Sequence, residues 1–234
     1  MTPLEYIYYF GHSLKKRYAL KHQKRLPHKV ISIGNITIGG TGKTPAAIAI
    51  AEEAKKRGFG PIILTRGYLG KAKGPCFVQG AGNPVEFGDE AVLMAERLKD
   101  VPIVKCADRY EGGMFALSLN PESRIPNPVF ILDDGFQHWR LYRDIDIVLI
   151  DGLNPFGNRK LFPLGPLREP LKELNRADIF VITKSRNEAL LNELKSINPA
   201  APVFFSEYRI TKLKDINGRE LPIDVLKEKK VYAF

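Results

Sequence analysis

Residues 34–44, with the sequence GNITIGGTGKT, decide the fold of this chain. They follow the apolar run at residues 30–33 and lead into an alanine-rich helical pattern, and this order of strand, glycine-rich loop and helix is typical of a phosphate-binding loop. Gly39, Gly40 and Gly42 let backbone N–H groups turn toward a phosphate. The helix that follows directs the positive end of its dipole at the same anion. The stretch therefore predicts a nucleoside triphosphate site.

Two side chains at the end of this loop carry the expected chemistry. Lys43 is expected to reach the β- and γ-phosphates and the Thr44 hydroxyl to bind Mg²⁺, so ATP and Mg²⁺ are the predicted cofactors. The usual pattern has a glycine where this chain has Thr37, but the two adjacent glycines of the loop still permit close approach of the backbone to phosphate. The predicted nucleotide-binding residues are Gly39, Gly40, Thr41, Gly42, Lys43 and Thr44.

The composition is that of an ordinary globular protein. The chain has 234 residues, 44% of them hydrophobic, which is enough for one large α/β domain or one domain plus part of another. Its two cysteines, Cys76 and Cys106, are too few and too far apart for a disulfide framework or a zinc site. We expect both to be buried in a protein of a reducing compartment.

Short apolar runs rich in Val and Ile alternate with helical patterns along the chain. The predicted strands are residues 30–33, 61–65, 103–104, 129–132, 145–150, 179–182 and 203–205, and the predicted helices are residues 43–57, 90–98, 111–119 and 189–197. A weak hairpin is expected at residues 77–78 and 85–87. Strands of this kind separated by helices predict an α/β fold similar to P-loop NTPases, with a mostly parallel sheet covered by helices on both faces.

The first 29 residues differ from the rest in charge. They contain seven Lys or Arg against one acid, Glu5, and so hold +6 of the net charge of +10. Apolar and aromatic residues recur there at roughly helical spacing, at Leu4, Ile7, Tyr8, Leu14 and Tyr18. An aromatic-rich amphipathic helix with basic flanks suits a membrane–water interface, and the apolar stretch is too short to span a bilayer.

Two other interpretations of this segment stay open at this point. A helix packed on its own domain, with a solvated basic end, explains the same pattern. A nucleic-acid-binding arm explains the charge, but here the aromatic residues come first and the charges follow, whereas single-strand binding favours stacking residues interleaved with Lys and Arg. No nucleic acid partner is therefore expected.

Acidic residues follow two of the predicted elements. Asp133 and Asp134 end an apolar strand downstream of the phosphate loop, which is the usual position for the second side of a Mg²⁺ site, although acids also favour a plain strand-to-turn transition. Asp89 precedes a helix and suits either an N-cap or a catalytic base for a hydroxyl nucleophile. Arginines at positions 66, 109 and 168 lie near predicted strand ends or loops, where they suit phosphate clamps or solvated surface positions.

Taken in order, these blocks resemble the tetraacyldisaccharide 4′-kinase family of lipid A biosynthesis. The resemblance rests on IGN (33–35) running into GGTGKTP (39–45), then TRGY (65–68), GDE (88–90), DRY (108–110), LDDGFQH (132–138), LYRD (141–144), PLGPLREP (163–170) and RAD (176–178). Blocks in this order over residues 30–178 are far more specific than a phosphate loop alone. A threonine at the position of Thr37 is also usual in the family.

The resemblance implies a membrane-associated P-loop kinase that transfers the γ-phosphoryl group of ATP to the 4′-hydroxyl of a tetraacylated disaccharide 1-phosphate. It would work at the cytoplasmic face of the bacterial inner membrane, as a peripheral or monotopic protein, with the acylated disaccharide lipid and an anionic membrane surface as partners. The implied roles are catalysis for Asp89 and Lys43, metal binding for Thr44, Asp133, Asp134 and Glu169, and substrate binding for Tyr68, Arg109, His138 and Arg168.

The same resemblance gives a domain organisation. Residues 1–29 are expected to form the membrane-interface helix, 30–200 the kinase domain and 201–234 the start of a second, smaller α/β domain. Family members continue for about eighty or more residues and supply a histidine believed to support the base at the position of Asp89, so the 234-residue chain by itself is expected to bind nucleotide with little turnover.

The main alternative from another class is a regulatory or translocating P-loop NTPase without a lipid substrate. Such proteins share the glycine-rich loop but carry a second lysine where this chain has Ile38. A GTPase is disfavoured as well, because residues 182–186 lack the aspartate that reads guanine.

Overall fold

The structure, a computed structural model, describes residues 2–67, 70–78, 80, 82–118, 125–207, 213–215 and 217–227. Its main sheet has the strand order β3-β4-β2-β5-β1-β6-β7-β8. The strands are β1 (Lys29–Gly34), β2 (Gly60–Thr65), β3 (Cys76–Phe77), β4 (Ile103–Lys105), β5 (Pro128–Asp133), β6 (Ile145–Asp151), β7 (Ile179–Thr183) and β8 (Val203–Ser206). All neighbours are parallel except β3, which runs antiparallel to β4 at one edge. The predicted mostly parallel sheet is confirmed.

The helices are α1 (Pro3–Lys21), α2 (Lys43–Lys56), α3 (Pro84–Phe87), α4 (Asp89–Arg97), α5 (Arg109–Ser118) and α6 (Glu188–Ile197). Two 3₁₀ helices span Leu171–Arg176 and Ile223–Leu226, and a small antiparallel pair is formed by β9 (Leu213–Lys214) and β10 (Glu220–Leu221). Helices α1, α2, α4, α5 and α6 lie near the positions that the sequence predicts, whereas α3 lies where a strand is expected. A capping box, in which Thr2 and Glu5 exchange hydrogen bonds, stabilises the start of α1.

Helices cover both faces of the sheet because the strand side chains alternate. On β2, Ile63 packs in one core with Ala47 of α2 and Met94 of α4, whereas Ile62 packs in another core with Ala116 of α5. A third core lies under β6, β7 and α6. The central strands β2 and β5 are therefore buried on both sides, which explains their continuous apolar sequence, whereas the edge strands β3 and β8 are partly exposed.

The weak hairpin expected at residues 77–78 and 85–87 does not form. Cys76–Phe77 instead pairs with β4, and residues 84–87 form the short helix α3, whose start is fixed by Pro84 and by the Asn83 side chain accepting from the Val85 N–H. The hairpin prediction, which rested on the alternating pattern, was wrong because Asn83-Pro84 starts a helical turn.

The sheet extends past the boundary predicted at residue 200. Val203–Ser206 pairs in parallel with β7 and is the outermost strand of the main sheet, so it belongs with the phosphate-loop strands. The division of the chain into domains otherwise stays a prediction.

Helix α1 lies against the body of the protein through a mostly polar and aromatic face. Glu5 is buried and accepts from the Leu161 N–H at 3.0 Å, the Tyr8 hydroxyl donates to the Arg168 carbonyl at 2.9 Å, and Lys16 pairs with Glu173. Within the described ranges, no helix combines the length and the apolar content that crossing a bilayer requires.

Candidate active site

The phosphate loop connects β1, near the middle of the sheet, to α2. Gly42 adopts a left-handed conformation (φ 87°) directly before the first residue of α2, Lys43. A side chain at this backbone angle would be strained, so glycine is required for the chain to turn its N–H groups toward a phosphate. A cavity of about 290 Å³, the P-loop cavity, is lined by residues 39–45 together with Glu90 and Lys184.

A short antiparallel contact brings a distant segment to the loop. Thr37 bridges Leu167, the Ile38 N–H donates to the Pro166 carbonyl at 2.7 Å, and the Arg168 N–H donates to the Ile36 carbonyl at 2.8 Å. Arg168 and Glu169 are therefore fixed beside the phosphate loop although they lie about 130 positions later in the sequence. Sequence reasoning alone has no signal for this pairing.

The Asp134 carboxylate forms ion pairs with both Lys43 and Arg168. Lys43 Nζ lies 3.7 Å from Asp134 Oδ1, and Arg168 donates to both oxygens of Asp134 at 2.9 and 3.0 Å. Asp134 has φ 51° and follows the last residue of β5, so its side chain leaves the alternation of the strand. The carboxylate therefore faces the loop lysine.

Asp133 has a different environment. It is buried, its Oδ2 accepts from the Thr65 hydroxyl at 3.1 Å, and its Oδ1 has no partner among the described residues. Burial raises the pKa of Asp133 to about 6, and the negative charges of Glu90 and Asp134 act in the same direction. An unpaired buried carboxylate oxygen near two other carboxylates is a position at which a cation would be stabilised.

The predicted metal shell of Asp133, Asp134 and Glu169 is not assembled by side chains alone. Across the described part of the chain, no three His, Cys, Asp or Glu side chains form a group that could hold a metal ion. Glu169 is fully buried, and its Oε1 accepts from Gln137 at 2.8 Å and from Arg176 at 2.7 Å. The arginine thus occupies the position of a cation partner for Glu169.

Asp89 is the first residue of α4 and not its N-cap. The N-cap is Gly88, with no side-chain capping bond, and the exposed Asp89 side chain makes no hydrogen bond to any described residue. The capping role that the sequence allowed is therefore not observed. Its neighbour Glu90, which sequence reasoning missed, lines the P-loop cavity; the acid next to Asp89 in the GDE block was the available signal.

A larger cavity of about 520 Å³, the α1 cavity, lies between α1 and the carboxyl ends of β5, β2 and β4. Its lining is rich in cations, and two acids, Asp108 and Asp134, also face it. The basic and aromatic residues that line this cavity include Lys15, Tyr18, Arg66, Arg109, His138, Arg140 and Arg168. Three of the four predicted substrate-binding residues, Arg109, His138 and Arg168, are thus brought together; the fourth, Tyr68, lies outside the described residues.

Burial lowers the pKa of two side chains that line the α1 cavity, Arg109 and His138. Desolvation lowers the pKa of Arg109 to about 10, with Asp133 opposing the shift. Desolvation, aided by the Arg109 charge, lowers the pKa of His138 to about 3. His138 is therefore a neutral imidazole at physiological pH, and its Nε2 is buried without a partner among the described residues.

Comparison with known proteins gives a consistent result. A family model described as tetraacyldisaccharide-1-P 4′-kinase matches residues 1–234. The chain is 40% identical over 228 residues to the tetraacyldisaccharide 4′-kinase of Syntrophus aciditrophicus, covering 90% of this chain and 60% of the relative. It is 40% identical over 243 residues to the enzyme of that name from Aquifex aeolicus, covering 100% of this chain and 72% of the relative.

The same likeness is found in three dimensions. The crystal structure of "apo" form LpxK from Aquifex aeolicus in complex with ATP superposes with a TM-score of 0.75 at 37% identity, covering 98% of this chain and 70% of that chain. The chain spans about 60% of the length of the first two relatives it matches. With the match of the family model to residues 1–234, these likenesses show that the chain belongs to the tetraacyldisaccharide 4′-kinase family.

Proposed function

We propose that this protein transfers the γ-phosphoryl group of ATP to the 4′-hydroxyl of a tetraacylated disaccharide 1-phosphate. The observation that carries the proposal is the junction of the two cavities: Lys43 of the phosphate loop contacts Asp134, and Asp134 lines the cation-rich α1 cavity. A phosphoryl donor in one cavity and an anionic sugar in the other would meet at this pair. The names of the relatives supply the substrate class.

Residues of the described chain can be assigned to the main steps of phosphoryl transfer. Backbone N–H groups of the loop and Lys43 would bind the phosphates and stabilise the charge that develops on the transferred group. Asp89 would take the proton of the 4′-hydroxyl; that oxygen forms the new bond to the γ-phosphorus, the bond from this phosphorus to the bridging oxygen breaks, and ADP leaves. Asp89 is exposed in the first turn of α4, so its carboxylate is accessible to a substrate hydroxyl.

The residues present also fit a magnesium ion. Thr44 is buried at the start of α2, and Asp133 offers an unpaired buried oxygen. Mg²⁺ is commonly held by one or two carboxylates together with phosphate oxygens and water, so these protein groups suffice beside a bound nucleotide. When bound, Mg²⁺ would neutralise charge on the β- and γ-phosphates. We assign Thr44, Asp133 and, on its position in the P-loop cavity, Glu90 as the groups that would hold it.

We also propose a peripheral location on the cytoplasmic face of the inner membrane, and α1 supports the membrane association in this proposal. Its contacts with the body use Glu5, Tyr8 and Lys16, whereas its apolar side chains Ile7 and Phe10 are 71% and 64% exposed. This inverts the usual orientation of an amphipathic helix in a globular protein, in which the apolar face is buried. The α1 cavity also reaches the exposed Tyr18, so a lipid held at the surface would have its sugar near the site.

The test is a transfer assay with protein expressed from its complete coding sequence. Tetraacyldisaccharide 1-phosphate in mixed micelles, Mg²⁺ and γ-labelled ATP should yield a product labelled at the 4′ position, which phosphorus NMR identifies. Lys43→Ala is the control for contaminating kinases. ATP hydrolysis without label in the lipid would replace this proposal with the regulatory NTPase.

A further inference from the structure

A second basic cavity, of about 460 Å³, lies beside the α1 cavity at the carboxyl ends of β2 and β4. We name it the β4 cavity. It shares Arg66 and Ala107 with the α1 cavity, so the two are continuous along one edge of the sheet. Lys73 and Lys105 add two more cations to its lining.

The charges of the β4 cavity are uncompensated. No acid is among the described residues that line it, and Arg66, Lys73 and Lys105 form no ion pair within the same part of the chain. In the α1 cavity, by contrast, Arg168 is paired with Asp134 at 2.9 Å and Arg140 with Asp108 at 3.5 Å. A cleft lined by one sign of charge concentrates ligands of the opposite sign.

Lys105 is the central residue of this cavity. It is only 4% exposed, and its Nζ donates to the Glu86 carbonyl at 2.6 Å, which is its one hydrogen bond to the described residues. An ammonium group has three protons to donate, and burying it without a counter-ion is unfavourable. An anion in the cavity would supply both the missing acceptors and the missing charge.

Two glycines of one loop, Gly67 and Gly70, lie where the Lys105 side chain passes. A Cβ on Gly67 would lie 2.5 Å from Lys105 Cδ, and a Cβ on Gly70 would lie 2.6 Å from its Nζ. The same loop is fixed to α3 because the Ala72 N–H donates to the Glu86 carbonyl at 3.1 Å. The glycines and this backbone hydrogen bond therefore place loop backbone beside Lys105 in the wall of the cavity.

We propose that the β4 cavity binds the second phosphoryl group of the substrate, the phosphomonoester on the anomeric carbon of the sugar. The assignment rests on the function proposed above. Counted from the phosphate loop at β1, the sheet continues through β5 and β2 to β4, so Lys105 on β4 is three strand spacings, or about 14 Å, away. An elongated sugar lying along this edge would direct its accepting hydroxyl to the loop and its phosphate to Lys105.

The experiment compares two lipid substrates that differ only in the anomeric phosphate. We expect wild-type protein to favour the phosphorylated lipid in kcat/KM by about 10-fold or more, the usual effect of hydrogen bonds to a charged group. Lys73→Ala and Lys105→Met should lose most of this preference by reacting more slowly with the phosphorylated lipid alone. Lys71→Ala, in the same loop but outside the cavity lining, is the matched control and should keep the preference.

The outcomes separate the two proposals. If Lys73→Ala slows both lipids equally, or slows neither, the anion site is overturned; this exposed residue decides the question even if Lys105→Met fails to fold. If wild-type protein phosphorylates neither lipid, the proposed function fails, and amide NMR titration with glucosamine 1-phosphate then tests the cavity directly. Shifts around Lys105 that Lys73→Ala abolishes support a sugar phosphate site. Equal shifts with inorganic phosphate, or none with either ligand, overturn it.

Discussion

Lys43 and Arg168 both contact the carboxylate of Asp134, so the phosphate loop and the α1 cavity share one charged group. In a complex with ATP, the phosphates would compete with Asp134 for Lys43, because they carry more charge. On the proposed function, Lys43 would therefore act on the nucleotide. Asp134 retains Arg168 as a partner when Lys43 turns to a phosphate.

Replacing Lys43 by Ala should lower kcat by about 10²- to 10³-fold, the usual loss for one preorganised donor to a charged transition state. Turnover in the transfer assay measures this, with the melting temperature as the check on folding. Lys55→Ala, on the same helix in an exposed pair with Asp100, should keep wild-type turnover. Equal turnover in a folded Lys43→Ala protein would remove the phosphate-loop assignment.

Asp89→Asn should lower kcat by about 10²- to 10⁴-fold, the range for loss of a general base, while the affinity for ATP stays near that of wild type. The defect should lessen as the pH rises, because ionisation of the hydroxyl replaces the base. Glu96→Gln, in the last turn of the same helix, is the matched control. A loss of stability with normal turnover per folded molecule would assign Asp89 a structural role only.

His138 predicts a pH dependence of stability. Its pKa is lowered to about 3 in the folded protein, so the unfolded chain binds a proton as the pH falls through about 6.5 while the folded chain does not. The stability associated with neutral His138 is therefore lost on acidification, by at most about 2 kcal/mol between pH 6.5 and 5. Urea unfolding at the two pH values should show a smaller difference for His138→Gln than for wild type; equal differences would contradict the shift.

At the scale of the element, α1 has two faces with separate tasks. One face fixes the helix to the body through Glu5 and Tyr8, and the other leaves Leu4, Ile7 and Phe10 exposed. Because Ile7 and Phe10 are mostly exposed, they can be replaced without removing the hydrogen bonds that Glu5 and Tyr8 make with the body. Removal of the whole helix would disturb both tasks.

Ile7→Asp should weaken binding to anionic phosphatidylglycerol vesicles by about 10-fold or more, since it removes a large apolar side chain from the interface and adds a repelled charge. Co-sedimentation measures the binding, and the melting temperature should stay within about 1 °C because the site is exposed. Leu153→Asp, at a residue that is 72% exposed outside α1, is the control. Equal loss for both variants would mean that α1 is not the membrane-binding element.

At the scale of the molecule, the phosphate loop is linked to the sheet well beyond β1. The Thr183 hydroxyl at the end of β7 donates to the Thr41 carbonyl at 3.1 Å, and Gly34 packs so closely on Phe136 that a Cβ there would lie 2.5 Å from the Phe136 Cβ. Nucleotide bound at the loop should therefore stabilise the fold as a whole.

Mg²⁺ and ATP at about 100 times the dissociation constant should raise the free energy of unfolding by about 2.7 kcal/mol. Calorimetry at several ATP concentrations measures the effect, and Lys43→Ala should show less of it. AMP lacks the phosphates that the loop would bind and serves as the control. An equal rise with AMP would contradict the assignment of the P-loop cavity.

The sequence by itself determined the features that depend on neighbouring residues. The order of strand, glycine-rich loop and helix, the apolar runs of the parallel strands and the positions of α2, α4, α5 and α6 all follow from local periodicity, turn chemistry and the left-handed glycine at position 42. The ordered blocks that indicate the family are also local. Each of these features depends on residues that are close together in the sequence, so it can be predicted without knowledge of the tertiary contacts.

Only the tertiary structure decided which side chains meet. Asp133 and Asp134 are adjacent in sequence, yet one is buried against Thr65 and the other faces Lys43 and Arg168. Glu169 is paired with Arg176, and the exposed face of α1 is the apolar one. Each outcome depends on a contact with a residue far away in the chain, and the burial and charge that set the chemistry of a carboxylate exist only after those contacts have formed.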